Sequence, residues 1–473
     1  MKVVWFFPPS KFEGEIPLVS QNRWFKYLPM RTNFIYPVIA ATGATMIKQA
    51  GHEVKFLDCP AMELSFEDAK CDLEGADLII MEARTAIMNW IWQITKEIKE
   101  FSKAKIAYYG DHVIVKPQES LRNGADYIIR CGDYDYGAYL LCEELDKSGG
   151  DCKKIFEAPL FENLDKLPFI DRELAPWKLY FETWRHSDAF GWIQSGRGCP
   201  YRCSFCSWVY TFYHHTIRVM SPKRVADEMQ FATEKYGIRE YLDDADTFLC
   251  KWWGVKFAEE LKQRGLDIFW NMQTRPDQIT SVSLEELKFM KKSGLHVVKL
   301  GVDASNDETM TRIRKNISIK QVKDAVELLK KAGLEVHVNM IIGYPWEDRK
   351  TAYDGIKFVK NLKPNQAQFS LIEPFIGTPI FDEALANNWF IHDPYDYDKY
   401  DMKTPIVAGE MTEREIAKLH RDAWSMFYLN PSFITRQIIK SFKHMLEHRN
   451  IDSFKHLWRG FKGVYYGHMR AVK

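Results

Sequence analysis

Short apolar runs alternate with helically spaced stretches over the first 150 residues. Runs at Val3–Phe7, Glu53–Leu57, Leu78–Met81, Lys105–Tyr109 and Tyr127–Ile129 predict strands. Helical spacing marks Pro37–Gln49, Trp90–Phe101, Pro117–Arg122 and Gly137–Lys147, and Gly51 stands where a helix C-cap belongs. Such alternation predicts a doubly wound, Rossmann-like parallel sheet, whose ligands bind in loops outside the strand carboxyl ends. The rhythm resumes after residue 190. Strands are expected at Phe190–Ser195, Glu240–Leu242, Asp267–Trp270, Val297–Gly301, Glu335–Ile342 and Ala367–Ile372. Helices are expected at Pro222–Tyr236, Trp253–Arg264, Leu284–Ser293, Ile319–Ala332 and Arg349–Leu362. Six units of this kind make a partial (β/α)6 barrel, with reactive residues at the carboxyl ends of its strands.

The expected organisation is therefore 1–150, a linker 151–189, a barrel domain 190–380 and a mainly helical region 381–473. The linker mixes acidic residues with Pro168 and Pro176, which break helices. Its Trp177, Tyr180, Phe181 and Trp184 are expected to pack across the domain seam. In the tail, the Tyr/Asp cluster Asp393–Asp401 reads as a surface loop, and Glu413–Leu429 as a helix capped by Thr412. Ser432–Tyr466 mixes basic residues with Ile438, Phe442, Met445, Leu446, Phe454, Leu457, Trp458 and Phe461. Amphipathy of this kind predicts a helical pair with one face over the barrel mouth; a basic surface helix touching lipid is the alternative.

Composition narrows the class. Hydrophobic residues at 46% and charged residues at 27% describe a soluble globular protein. A net charge of +1 gives no overall pull toward nucleic acid, so no nucleic-acid partner is expected. Nine cysteines without framework spacing argue for a reducing, cytoplasmic setting rather than a disulfide scaffold. No apolar run reaches the length of a membrane span or a signal peptide. Aromatics at 14% are abundant enough to suit enclosure of a large flat cofactor or an apolar substrate.

Chemistry concentrates in Gly198-Cys199-Pro200-Tyr201-Arg202-Cys203-Ser204-Phe205-Cys206-Ser207-Trp208, directly after the first barrel strand. Three close thiolates can hold three irons of a [4Fe-4S] cube and leave the fourth open. A closed zinc site wants four ligands, and His214 or His215 is available to complete one.

The C-x3-C-x2-C spacing, with Phe205 before the last cysteine, resembles the radical S-adenosylmethionine (SAM) enzymes. The resemblance implies Cys199, Cys203 and Cys206 as ligands of a [4Fe-4S] cluster whose open iron chelates SAM. Cleavage of SAM there gives a 5′-deoxyadenosyl radical that abstracts hydrogen from carbon. Other strand ends resemble the family in order. Tyr241–Phe248 carries an Asp-Asp pair, with Asp244 implied at the SAM amino group; a loop-positioning role or a solvated acidic turn is the other reading. Arg275 stands where a carboxylate is paired, Asp303 stands where the family's acidic residue meets the ribose, one methylene shorter than the usual Glu, and Ser305 lies beside it among the implied cofactor contacts. Gly343-Tyr344-Pro345 stands where adenine is flanked, near Phe205, and Pro374–Pro379 resembles the Pro-x-x-Gly-Thr-Pro turn. The first domain resembles the cobalamin-binding domain of many such enzymes. Its markers are Pro8-Pro9, Ile47–Val54, a Gly-x-His loop and a later Gly-acidic turn. That places Thr85, Gly110, Asp111, His112 and Gly132 beside the cofactor. Two departures stand out: Tyr109-Gly110 replaces two glycines, and Gly132-Asp133-Tyr134-Asp135 replaces Gly-Glu-Gly-Glu. Without an Asp-x-His-x-x-Gly signature, no protein histidine is implied below cobalt.

Together these resemblances imply an anaerobic cobalamin-dependent radical SAM enzyme that methylates an unactivated carbon. One SAM would supply the radical and a second the methyl group, by way of methylcobalamin. Cyclisation or rearrangement without methyl transfer, as in the oxygen-independent porphyrin cyclase, is the second reading, and a non-catalytic corrinoid or iron–sulfur carrier the third. The expected partners are a small, apolar or lipid-like substrate and an electron donor such as flavodoxin or ferredoxin. Peripheral membrane contact through the C-terminal helices is a further expectation. No catalytic acid or base is assigned; Tyr210, Tyr213, His214 and Tyr344 are candidates for the cavity wall.

Overall fold

A computed structural model describes residues 1–9, 16–17, 27–28, 34–149, 152–182, 184–401 and 404–448. The first sheet is parallel throughout. Its strands run in the order Glu53–Asp58, Lys2–Phe7, Leu78–Glu82, Lys105–Tyr109, Tyr127–Arg130 and Ile155–Glu157. Strand order reverses at Lys2–Phe7, which pairs with both Glu53–Asp58 and Leu78–Glu82. That reversal is the crevice where open α/β sheets bind ligands. Helices on both faces bury the sheet, so Trp5, Phe6 and Phe7 are inaccessible in succession rather than alternately. Gly43 lets helix Val38–Gln49 close on the sheet: a Cβ there would stand 2.8 Å from the Trp5 ring.

The second sheet is an open partial barrel. Phe190–Ile193, Glu240–Asp243, Phe269–Thr274, Leu295–Asp303, Glu335–Ile342 and Gln366–Leu371 pair in chain order, all parallel. The first and last strands are not paired to each other. Two elements the periodicity did not mark, Cys59–Met62 and Phe66–Glu74, follow the first domain's edge strand; the second is opened by a Ser65/Asp68 capping box. In the linker, Tyr180 donates to Asp58 of the first domain at 2.8 Å and Phe181 bridges to Phe34. Trp184 instead packs on Phe190 and His337 of the barrel.

Helix Glu413–Tyr428 lies along the last strand and helix Arg349–Leu362, and Pro431–His448 sits at that strand's amino end, where Arg436 donates to the Lys363 carbonyl. The described part of the expected pair, Pro431–His448, therefore does not roof the mouth; its remainder, residues 449–466, lies outside the described residues. The Asp393–Asp401 loop keeps Asp393, Tyr395 and Asp398 exposed, as a surface loop would, yet buries Tyr397 against Trp92 and His112 of the first domain and Tyr400 beside Phe375. A phenol ring can be buried while neighbouring carboxylates keep to water, so the Tyr/Asp composition marked the exposed positions and not the two buried rings. Ile438 and Phe442 are about half exposed. The side chains of Met445 and Leu446, with Phe454, Leu457, Trp458 and Phe461, lie outside the described residues. No described helix is long and apolar enough to cross a membrane.

Candidate functional site

The cysteine loop springs from the carboxyl end of the first barrel strand and is fixed by backbone groups. Asp243 Oδ1 accepts from the Ser195 amide at 2.9 Å, and Asp246 Oδ2 from the Gly198 amide at 2.6 Å. Gly198 sits at φ +85°, where a Cβ would stand 2.1 Å from the Thr216 carbonyl oxygen; only glycine fits. Farther on, the Ser204 amide donates to Ile313 O, and the Ile380 amide donates to Ser204 O. The second contact brings in the Gly377-Thr378-Pro379 turn. His215 Nδ1 lies 3.0 Å from the Tyr201 carbonyl oxygen, which ties that ring to the loop backbone.

Cys203 is buried and Cys199 and Cys206 are partly so. Three thiolates can hold three irons of a [4Fe-4S] cluster and leave the fourth open, whereas a closed zinc site needs a fourth protein ligand. Burial pushes the Cys199 thiol up to about 12, so loading a thiolate-bound metal there releases a proton.

Around the loop, the strand ends form a connected polar layer. Arg275 stacks on Tyr201 with its guanidinium 3.5 Å from the ring centre, and Nη1 lies 3.6 Å from Cys203 Sγ. It also donates to Asp277 at 2.9 Å and to the Lys315 carbonyl at 2.7 Å. Lys315 Nζ pairs with the Asp303 carboxylate, and the Tyr344 hydroxyl donates to Asp303 O. Burial works against the Lys315 charge, yet Asp303 and Cys203 hold the ammonium above its ordinary range. Asp303 has φ +66° beside a register shift in its strand. Asp244 lies 3.5 Å from Gln273 Nε2. Gly343 is at φ +80°, and a Cβ there would press on Ile416. Phe205 is buried. Ser305 turns to the barrel's outer layer, with Oγ 2.8 Å from where a Cβ of Gly355 would be. Buried polar atoms without hydrogen-bond partners, Gln194 Nε2, Ser204 Oγ and Thr247 Oγ1, lie in the same layer. They suit a polar ligand.

The first domain meets this layer through four charges. Arg197, two residues before Cys199, makes a bidentate pair with Asp135 at 2.9 and 2.7 Å and lies 3.2 Å from Asp133. Arg218 makes a second bidentate pair with Asp133 at 2.5 and 2.9 Å. Arg197, Asp133 and Asp135 are inaccessible to solvent. Burial drives the Asp135 carboxyl upward against the pull of Arg197, whereas the two guanidiniums outweigh burial at Asp133 and hold it below the usual range. Beside them Tyr109, Tyr134 and Phe212 stack in series. The residues expected beside cobalamin lie at this end of the sheet. Gly110 is at φ +132°, with the Ala83 carbonyl 2.3 Å from a would-be Cβ; Gly132 is likewise pressed on Ala158 O and donates to Phe212 O. Thr85 Oγ1 and His112 Nδ1 are 3.4 Å apart. Tyr397 covers the imidazole at 4.8 Å between ring centres, and burial drops its pKa to about 3. Asp111 keeps a buried carboxyl oxygen without a partner, and burial raises its pKa. The unpartnered Asp111 oxygen can accept from an amide N–H, so this end fits an amide-bearing cofactor such as cobalamin.

Residues 193–358 match the sequence model of the radical SAM superfamily. Over 469 residues the chain is 30% identical to the uncharacterized methyltransferase PH0819 of Pyrococcus horikoshii, covering 93% of this chain and 98% of that protein. The chain belongs to the radical SAM superfamily. This radical SAM enzyme is also 28% identical over 248 residues to the anaerobic magnesium-protoporphyrin IX monomethyl ester cyclase of Rubrivivax gelatinosus; that match covers 50% of the chain and 42% of the cyclase. It is 25% identical over 354 residues to the hopanoid C-3 methylase of Methylococcus capsulatus, covering 71% and 66%. Its fold matches OxsB, a cobalamin-dependent SAM radical enzyme solved with aqua-cobalamin and SAM. The TM-score is 0.68 at 12% identity, over 98% of this chain and 70% of that one. TsrM from Kitasatospora setae, a radical SAM methyltransferase solved with cobalamin and a [4Fe-4S] cluster, gives 0.62 at 17% identity, over 83% and 78%.

Four residues of this radical SAM enzyme escaped the sequence reading as site residues: Asp133, Asp135, Arg197 and Tyr397. The first two stood in plain view as a departure from a Gly-Glu-Gly-Glu turn. Their signal was the pair of carboxylates itself, which a packed turn tolerates only with cations to meet it.

Proposed function

We propose that this radical SAM enzyme holds a [4Fe-4S] cluster on Cys199, Cys203 and Cys206, SAM on the neighbouring strand ends and cobalamin on the first domain, and methylates an unactivated carbon. Carrying this reading is the buried junction of Arg197, Asp133, Arg218 and Asp135, which fastens the base of the thiol loop onto the carboxyl end of the first sheet. Loops of the two domains thus share one mouth. When bound, the cluster supplies the electron that cleaves SAM, and cobalamin carries the methyl group. The chain's own residues place these groups and keep water away. Asp243 and Asp246 hold the loop's entry, Arg275 sets a cation beside Cys203, and Tyr344 with Lys315 orients Asp303. Gln194, Ser204 and Thr247 offer free polar atoms for SAM. Asp111 offers one for the corrin amides.

The names of relatives support a methyl transfer and an apolar substrate, as in a hopanoid methylase. Similarity to a porphyrin-ester cyclase favours ring formation as a second reading. Product analysis separates them. Anaerobically purified protein should carry about four irons and one corrinoid after reconstitution. Turnover should give S-adenosylhomocysteine alongside 5′-deoxyadenosine. Deoxyadenosine alone would favour cyclisation, and absence of corrinoid would end the methyl-transfer reading.

A further inference from the structure

The amino-terminal end of the barrel, opposite the cysteine loop, carries a cluster that the radical chemistry does not use. His186 precedes the first strand, His296 opens the fourth, and Glu335 opens the fifth. One ligand atom from each lies within 4.8 Å of the others. His296 Nε2 is 3.2 Å from Glu335 Oε1, and His186 Nε2 is 3.6 Å from the same oxygen. The imidazoles meet edge to face, with ring centres 4.0 Å apart. Bonds of ~2.0–2.1 Å to a tetrahedral zinc place neighbouring ligand atoms ~3.3 Å apart. The two measured edges bracket that value.

The surroundings are arranged to hold the ligands in place. The buried Glu240 carboxylate accepts from the His186 and Ser187 amides, both at 2.7 Å, and from Asn271 at 3.0 Å. Asn271 Oδ1 in turn accepts from the Val297 amide, next to His296, at 2.9 Å. The backbones beside two ligands are thus anchored through one carboxylate and one amide. The three side chains remain 14–29% exposed, so an ion can enter.

We propose that His186, His296 and Glu335 bind a divalent transition cation, with zinc as the fitting ion and a fourth position left to water. The ion would join the segment before the first strand to the fourth and fifth strands. It would brace from below a barrel whose first and last strands are not paired to each other, at the face of such barrels given to stability rather than chemistry.

The test uses full-length protein with its cluster reconstituted, so that the loop thiols are occupied, titrated anaerobically with Zn2+ and assayed for metal by mass. One zinc per chain beyond the iron is expected, with a rise in melting temperature that a chelator reverses. His296→Ala and Glu335→Gln should each weaken zinc binding at least tenfold and abolish the rise, with iron content unchanged. A chain with Cys199, Cys203 and Cys206 all changed to Ser should still bind the zinc. Should His296→Ala fold poorly, His296→Asn gives the same readout. No zinc bound in 0.1 mM excess (about a hundredfold over a ~1 µM site), or binding indifferent to both variants, would overturn the proposal.

Discussion

Replacing Asp135 with Asn tests whether the charge junction holds the thiol loop to the first domain. The substitution keeps the volume and removes one charge facing Arg197, whose two hydrogen bonds to Asp135 run at 2.9 and 2.7 Å in a site closed to water. Breaking a buried pair by removing one partner costs about 3–5 kcal/mol. Asp133 remains 3.2 Å from Arg197, though it also serves Arg218, so the lower end of the range applies. About 3 kcal/mol is a factor of roughly 150 in the population of an opened junction. A chain of several domains does not unfold in one step, so a global melt would blur the effect. Amide hydrogen exchange at residues 196–206 and 134–138 reads it locally. Asp135→Asn should speed exchange there about a hundredfold and leave strand Glu335–Ile342 unchanged. A double change, Asp135→Leu with Arg197→Met, should restore most of the protection, since no charge is then stranded. Exchange in Asp135→Asn within threefold of the parent would refute the reasoning.

Further outcomes follow from the same geometry. Burial lifts the Glu347 carboxyl from 4.5 to about 7, against hydrogen bonds from Thr309 and Asn306. Between those pH values the folded chain holds a proton the unfolded chain has lost, so this stability is complete below 4.5 and declines as pH rises to 7. That decline is about 3 kcal/mol. Glu347→Gln should therefore flatten the difference in denaturation midpoint between pH 5 and pH 8. Gly132→Ala drives a Cβ to 2.0 Å from Ala158 O at φ +56° and should cost at least about 2 kcal/mol. Gly149→Ala, also at positive φ but with open space around it, should cost only about 1 kcal/mol; amide hydrogen exchange in helix Tyr134–Ser148 compares the two variants. Changing Cys199, Cys203 or Cys206 singly to Ala should each bring reconstituted iron close to zero while far-ultraviolet circular dichroism stays unchanged.

What could be read ahead of the coordinates was what is local. Three cysteines within eight residues announce a metal loop whatever surrounds them, and apolar runs announce strands because parallel strands are buried on both faces. Motif matching placed Asp303 and Ser305 on one ligand. The register shift between Gly301 and Asp303, with φ +66° at Asp303, alters which way the following residues face. Asp303 meets Lys315, and Ser305 meets Gly355. Partners 62 residues apart, such as Arg197 and Asp135, leave no periodic trace. His186, His296 and Glu335 likewise come together only through the strand order. The short helix Phe66–Glu74 was legible in its Ser65-x-x-Asp68 signature, which the weak apolar spacing obscured.

Tyr397 gives the molecule a schedule. Its ring lies on His112 and its hydroxyl donates to Glu119, 278 residues earlier in the chain. Synthesis proceeds at ~5–20 residues per second and amino-terminal domains fold first. The first domain is therefore complete on the order of half a minute before the segment that covers it has been made. During that interval its crevice faces solvent with His112 uncovered. In that interval a bulky ligand can reach the crevice without any opening of the finished protein, and Tyr397 closes over His112 only afterwards.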